Sequence, residues 1–254
     1  MTVSHPGSSD PLLAAFDRAG VVSWVLTGGS FGASTGDDTL SAVDCSMSSN
    51  LCVAGGTVPM HAAFSCTAST QCSAATATIV WLHADPSSPP STASSLLFGG
   101  HGIAAATARV VTRGDTITVI GTASRAAGTT DSGVLFIPDR VGVASGGATV
   151  TVPSADQVVW LAHYTTTAGV VRLAWVSALH GDTGSVSIDD AVASSSGLVA
   201  CGASDATSLT TSWTVPAADV SAATLTGLPS VANSTHTLVR PSSGRALALA
   251  LPAD

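Results

Sequence analysis

The chain has 254 residues, 45% of them hydrophobic and 9% charged, with a formal net charge of −8. So large an apolar share excludes an extensively disordered chain. An acidic balance with no arginine cluster excludes nucleic acid and anionic membrane surfaces as partners. Every acid is Asp and every base is Arg; the loss of Lys and Glu beside abundant Val and Thr argues for strands and against long solvated helices. No apolar run approaches the roughly 18 residues that a spanning helix needs. The mean hydropathy of +0.45 therefore reads as a β core, with no membrane insertion expected.

In chain order, Met1–Asp10 lacks both the basic and the apolar segment of a secretory signal. The expectation is a signal already removed, or a piece of a longer chain. Pro11–Arg18 offers at most a turn or two of helix. Leu12–Phe16 and Gly20–Trp24 form the first of two recurring patterns, a pair of short apolar strands. Gly28-Gly29-Ser30-Phe31-Gly32 matches the nucleophile-elbow pattern, but an elbow needs a helix behind its serine. Ala33–Asp38 reads as a loop, so the match is taken as accidental.

The second pattern is a strand, a tight turn and a strand, at Ala42–Gly55. Cys45 and Cys52 flank its turn, and Cys66 and Cys72 flank another short segment. Each pair suits a disulfide across a hairpin. Zinc is the weaker alternative because neither spacing is CxxC and no His pair is near. Free buried thiols remain the third alternative and are the default for Cys201.

The first pattern returns at Ile79–His83 with Leu96–Phe98, and the second at Ala108–Gly121. A third round runs through Val158–Trp175 and Asp190–Gly202. A fourth copy of the first pattern runs from His236 to Leu249. Trp24 pairs with Trp175 in this alignment, and Trp81 with Trp160; their spacing suits packing between units better than sugar stacking. Gly55, Gly121 and Gly202 close the second strands and mark a bend or a close backbone approach. Extra length sits in the Cys66–Cys72 segment, Pro86–Ser95 and Gly128–Pro153. His83 and His163 read as satisfied core or edge histidines. Asn233-Ser234-Thr235 is a glycosylation sequon only in a secretory eukaryote.

One copy of each pattern makes four antiparallel strands, the plan of a propeller blade. The fold class expected is all-β and β-propeller-like, in a single repeat domain over 1–254. Its units run approximately 10–76, 77–154 and 155–235, with a partial one at 236–254. That is about three blades and a fraction, whether a fragment of a larger propeller, a closed ring or an open stack.

These stretches resemble the bacterial SBBP-type β-propeller repeats. The likeness lies in Leu12–Asp17, Gly20–Trp24, Gly28-Gly29, and Ala42–Asp44 through Asn50–Gly55. It returns in Val158–Tyr164, Gly169–Trp175, and Asp190–Val192 through Gly197–Gly202. The fit is weakest over Gly128–Pro153 and Asp205–Ser234, and the usual Lys is missing. The resemblance implies a secreted or surface protein without a known enzymatic role.

The candidate binding residues are Asp37, Asp38, His101, His180 and Asp182. His101 and His180 share a repeat phase in Gly-flanked turns, so a propeller would gather them on one face. Asp37-Asp38 and Asp182, with Asp189-Asp190 nearby, are Gly/Asp loops of the kind Ca²⁺ uses; a solvated turn is the plainer reading of each. No catalytic residue is assigned. The functional expectation is an extracellular or cell-surface module binding glycan or protein. The alternatives are a propeller enzyme acting on polysaccharide and a structural spacer or assembly subunit.

Overall fold

The computed structural model describes residues 12–27, 39–46, 48–49, 51–59, 75–83, 95–100, 102–126, 133–141, 147–153, 157–181, 185–194, 197–206, 208–214, 235–239 and 246–252. Every regular element among them is a strand, and every strand pairing is antiparallel. The strands are β1 (Leu12–Phe16), β2 (Val22–Thr27), β3 (Thr39–Ser46), β4 (Leu51–Pro59), β5 (Ala75–His83) and β6 (Ser95–Phe98). They continue with β7 (Ile103–Arg113), β8 (Thr116–Arg125), β9 (Gly133–Pro138), β10 (Gly147–Val152), β11 (Val158–Thr167) and β12 (Val170–Gly181). The last are β13 (Val186–Ser194), β14 (Gly197–Ser204), β15 (Ser208–Thr214), β16 (Thr235–Val239) and β17 (Ala246–Pro252). The Leu12–Phe16 stretch is thus a strand and not a turn of helix. It pairs with β2 over its whole length.

Three sheets lie face to face. The first runs β3-β4-β5-β6, the middle one β16-β15-β12-β11-β8-β7 and the third β13-β14-β17. Hairpins β1–β2 and β9–β10 form small sheets of their own. Between the first and middle sheets, Val53, Phe98, Val110, Trp160 and Tyr164 share one core. Phe98 stacks on Trp160 at 4.8 Å and meets Tyr164 edge-on at 6.3 Å. Between the middle and third sheets, Ile120, Leu161, Trp175, Ile188 and Leu198 form a second core. A smaller contact joins Leu13 and Trp24 of the leading hairpin to Leu40 and Cys52 of the first sheet. Trp160 is fully buried and Trp175 nearly so, as expected of tryptophans that pack sheets together.

Hydrogen bonding joins the first two second-pattern hairpins to the first-pattern hairpin that follows, β4 to β5 and β8 to β11. The four-strand grouping therefore begins one hairpin later than the pattern order suggests. Each second-pattern hairpin also carries a bulge at one place. The register slips between Leu40 and Ala42, between Thr107 and Arg109, and between Ile188 and Asp190. Gly56, Gly121 and Gly202 face these slips. A methyl group on Gly56 or Gly202 would overlap the carbonyl oxygen of Thr39 or Ser187, and one on Gly121 would overlap the Trp160 ring. Glycine lets the bulged backbone close there. The equivalent residue in the first copy is thus Gly56, one position beyond Gly55. Gly55 has a different role, because a Cβ there would lie 2.6 Å from Thr107 Cγ2 and 2.9 Å from Val110 Cγ1. Its bare backbone seats β4 on β7.

This register refines the aromatic alignment. Trp24 and Trp175 each follow a bulge and face Ala15 and His163, so they are equivalent. Trp81 faces Val53 and is equivalent to His163, which faces Thr118; Trp160, facing Gly121, corresponds to Thr78. The pairing of Trp81 with Trp160 was three residues out, because the backbone glycines and not the indoles fix the phase. His163 is buried, bonds Thr118 Oγ1 at 2.9 Å and stacks on Trp175 at 4.9 Å.

Two further expectations change. The fourth first-pattern copy is not a hairpin: β16 pairs with β15 and β17 with β14. β17 takes the place beside β14 that β5 and β11 take beside β4 and β8, with Leu247 facing Gly202. The Gly128–Pro153 insertion contains a hairpin, β9–β10, whose Leu135, Ile137, Val150 and Val152 point into the first core. Tyr164 bonds its end, donating its hydroxyl to the Pro138 carbonyl at 2.9 Å.

Cys45 and Cys52 face each other across β3 and β4 and are bonded, with Cα atoms 4.1 Å apart. Cys66 and Cys72 lie outside the described residues. Cys201 is free as expected, but exposed and not buried. It lies on the outer face of the third sheet, which no described element covers.

Candidate functional site

The strands β3, β7 and β13 are equivalent by repeat, and each is the edge strand of its sheet. They converge on one groove with a cavity volume of about 660 Å³. Its polar lining comes from Ser41 and Asp44 of β3, Arg109 and Thr112 of β7, and Asp190 of β13. The bulge helps to make this lining. In all three strands the residues just after the slip (Ala42, Arg109 and Asp190) face the groove.

The first part of the lining is structural. Asp44 accepts from Thr112 N at 2.7 Å and Thr112 Oγ1 at 3.1 Å through one oxygen, and from Cys45 N at 2.9 Å through the other. Ser41 donates to the Thr107 carbonyl at 2.8 Å, and Ser49 to the Gly114 carbonyl at 2.6 Å. Side chains of the first sheet thus hold backbone groups on the edge of the middle one.

The second part is open to solvent. Arg109 Nε lies 3.4 Å from Asp190 Oδ1, with side chains 42% and 74% exposed. Arg109 also donates from an amino nitrogen to its neighbour's carbonyl, Ala108 O, at 2.8 Å. Asp190 Oδ1 further accepts from Ala191 N at 2.9 Å. An ion pair so exposed contributes at most about 1 kcal/mol to stability. Its guanidinium and carboxylate remain available to a ligand, with a fork of N–H donors beside an acceptor. The aliphatic walls include Val43 and Val192, both well exposed.

Of the candidates named from sequence, Asp37, Asp38, His101 and Asp182 lie outside the described residues, as does Gly28–Gly32. The loops proposed for Ca²⁺ lie mostly there too. Among the described residues no group of three His, Cys or Asp is placed to hold a metal ion. His180 is half-buried near the end of β12, facing Val158 and Thr210, with Nδ1 at 3.3 Å from Gly181 O. It does not line the groove. In the sequence Asp190 stands out only as a neighbour of an acidic loop, and Arg109 does not stand out. The signal for both was their equivalence at the first position after a bulge, visible only once the glycines are in phase.

The chain matches no protein-family model and no curated protein. No helix among the described residues is long and apolar enough to cross a membrane. The disulfide is compatible with an extracellular location.

Proposed function

We infer that the chain is a propeller-like recognition module of the SBBP repeat type, exported to the cell surface or extracellular space, that binds a glycan or protein ligand. The observation that carries this reading is the convergence of three repeat-equivalent strands on one groove with an exposed guanidinium–carboxylate pair. Such a pair suits vicinal hydroxyls or peptide amides, since it offers donors and an acceptor side by side. Among the described residues no aromatic side chain lines the groove, so affinity would rest on hydrogen bonds and on the aliphatic walls.

A glycan array with the oxidised, monodisperse protein, with and without Ca²⁺, tests the reading. Selective saturable binding that Arg109→Ala weakens by about tenfold, the loss of one charged hydrogen bond, is the expected result. A blank array from folded protein removes the glycan arm and leaves a protein ligand. Binding that ignores Arg109→Ala and Asp190→Asn moves the site away from the groove. Assembly of repeats is a second reading, favoured by the bare outer face of the third sheet.

A further inference from the structure

The bulges put the second-pattern hairpins in phase, so equivalent positions can be compared face by face. The face of the first sheet that looks toward the middle one carries Val53 of β4, fully buried. The equivalent face of the middle sheet carries Val111, Thr118 and Ile120, with exposures of 7%, 6% and 0%. Each is covered by the sheet that follows it in the chain. In the third sheet the same positions are Val192, Val199 and Cys201. Val192 and Val199 are 62% and 44% exposed, and Cys201 is exposed as well. A contact made twice inside the chain is thus left open a third time.

The opposite end of the stack is also open. The leading hairpin β1–β2 is equivalent to β11–β12 by its bulge before the tryptophan. Leu12, Phe16 and Val22 correspond to Trp160, Tyr164 and Leu173. The latter three are buried against the preceding sheet and the β9–β10 hairpin, with exposures of 0%, 0% and 7%. Leu12, Phe16 and Val22 are 54%, 62% and 43% exposed. Solvated β-branched and aromatic side chains on one sheet face are a site for burial.

We propose that the outer face of the third sheet docks onto the leading hairpin of a second copy of this chain. The contact is head-to-tail and repeats between copies the sheet-on-sheet packing made twice within one. Its two surfaces differ, so each copy keeps one free end, and association closes into a ring or runs on as a file. The proposal develops the assembly reading, and its docking face adjoins the groove, because Val192 belongs to both.

Sedimentation velocity over a range of concentrations tests it on the full chain. The wild type is expected to gain mass with concentration. Val192→Asp with Val199→Asp disables the outer face, and Leu12→Asp with Phe16→Asp disables the leading hairpin. Each double variant alone is expected to sediment as a monomer. Mixed, they retain one intact surface of each kind and form a species of two copies and no larger. A wild type that stays monomeric throughout overturns the proposal, as does a mixture that stays monomeric. Self-association of the leading-hairpin variant also overturns it, because that result means a back-to-back contact. Should a variant fail to fold, alkylation of Cys201 in the wild type, followed peptide by peptide, decides the matter. Labelling slowed several-fold in concentrated protein supports docking, and equal rates refute it.

Discussion

Tyr164 is the only tyrosine in the chain, fully buried against Phe98 with its hydroxyl on the Pro138 carbonyl. Burial, and then the charge of Asp139, hold its phenol well above the ordinary value of 10.0. The unfolded chain would therefore ionise first as pH rises, and the folded chain would keep the proton. The stability this contributes is complete below about pH 10 and is lost as pH climbs from there toward the folded value. Alkaline titration should show phenolate absorbance rising together with the change in tryptophan fluorescence, because the phenolate forms only in the opened chain. Phenolate appearing near pH 10 with fluorescence unchanged would show an accessible ring. Tyr164→Phe should cost about 1 kcal/mol in denaturant unfolding, the usual net value of one hydrogen bond.

Among the elements, the β11–β12 hairpin turns in two residues, Ala168 and Gly169, both at positive φ (51° and 79°). That is the turn whose twist suits a two-residue hairpin, and Asn-Gly is its preferred sequence. Alanine pays for the left-handed conformation with its Cβ, at about 1 kcal/mol. Ala168→Asn should therefore raise the melting temperature, with a gain of about 0.5–1 kcal/mol in calorimetry. An unchanged or lower value would mean that the turn is not under this strain. The strands themselves were legible in the sequence, because Val- and Thr-rich packets between Gly and Asp clusters have one plain reading. Leu12–Phe16 and the strands of Gly128–Pro153 were harder. The first follows a proline in an alanine-rich run that suits a helix as well. The second breaks the repeat that made the other hairpins visible.

For the molecule as a whole, the middle sheet is covered on both faces and the outer ones on fewer. In a stack of this kind each unit is stabilised by its neighbours. Amide hydrogen exchange should thus be slowest in β8 and β11 and faster in β1–β2 and β13–β14. Uniform protection across all sheets would contradict this layering. The stacking also explains what the sequence could not show. The repeats indicated equivalent hairpins, but which hairpin bonds to which depends on contacts between distant strands. β8 with β11 is such a case, since β9 and β10 intervene. The groove is hidden in the sequence for the same reason: Asp44, Arg109 and Asp190 come together only when three edges meet, and the indoles suggest a phase between copies that differs from that of the glycines. A free thiol on a strand reads as a core residue, whereas Cys201 sits on the face of the third sheet that no described element covers.

The edge of β7 has one more consequence. A bare strand edge is a template on which a stray chain can add itself, the first step toward amyloid. Here the Thr107 carbonyl, the Thr112 N–H and the Gly114 carbonyl are already taken by Ser41, Asp44 and Ser49. Those three short polar side chains act as sentries against fibril growth.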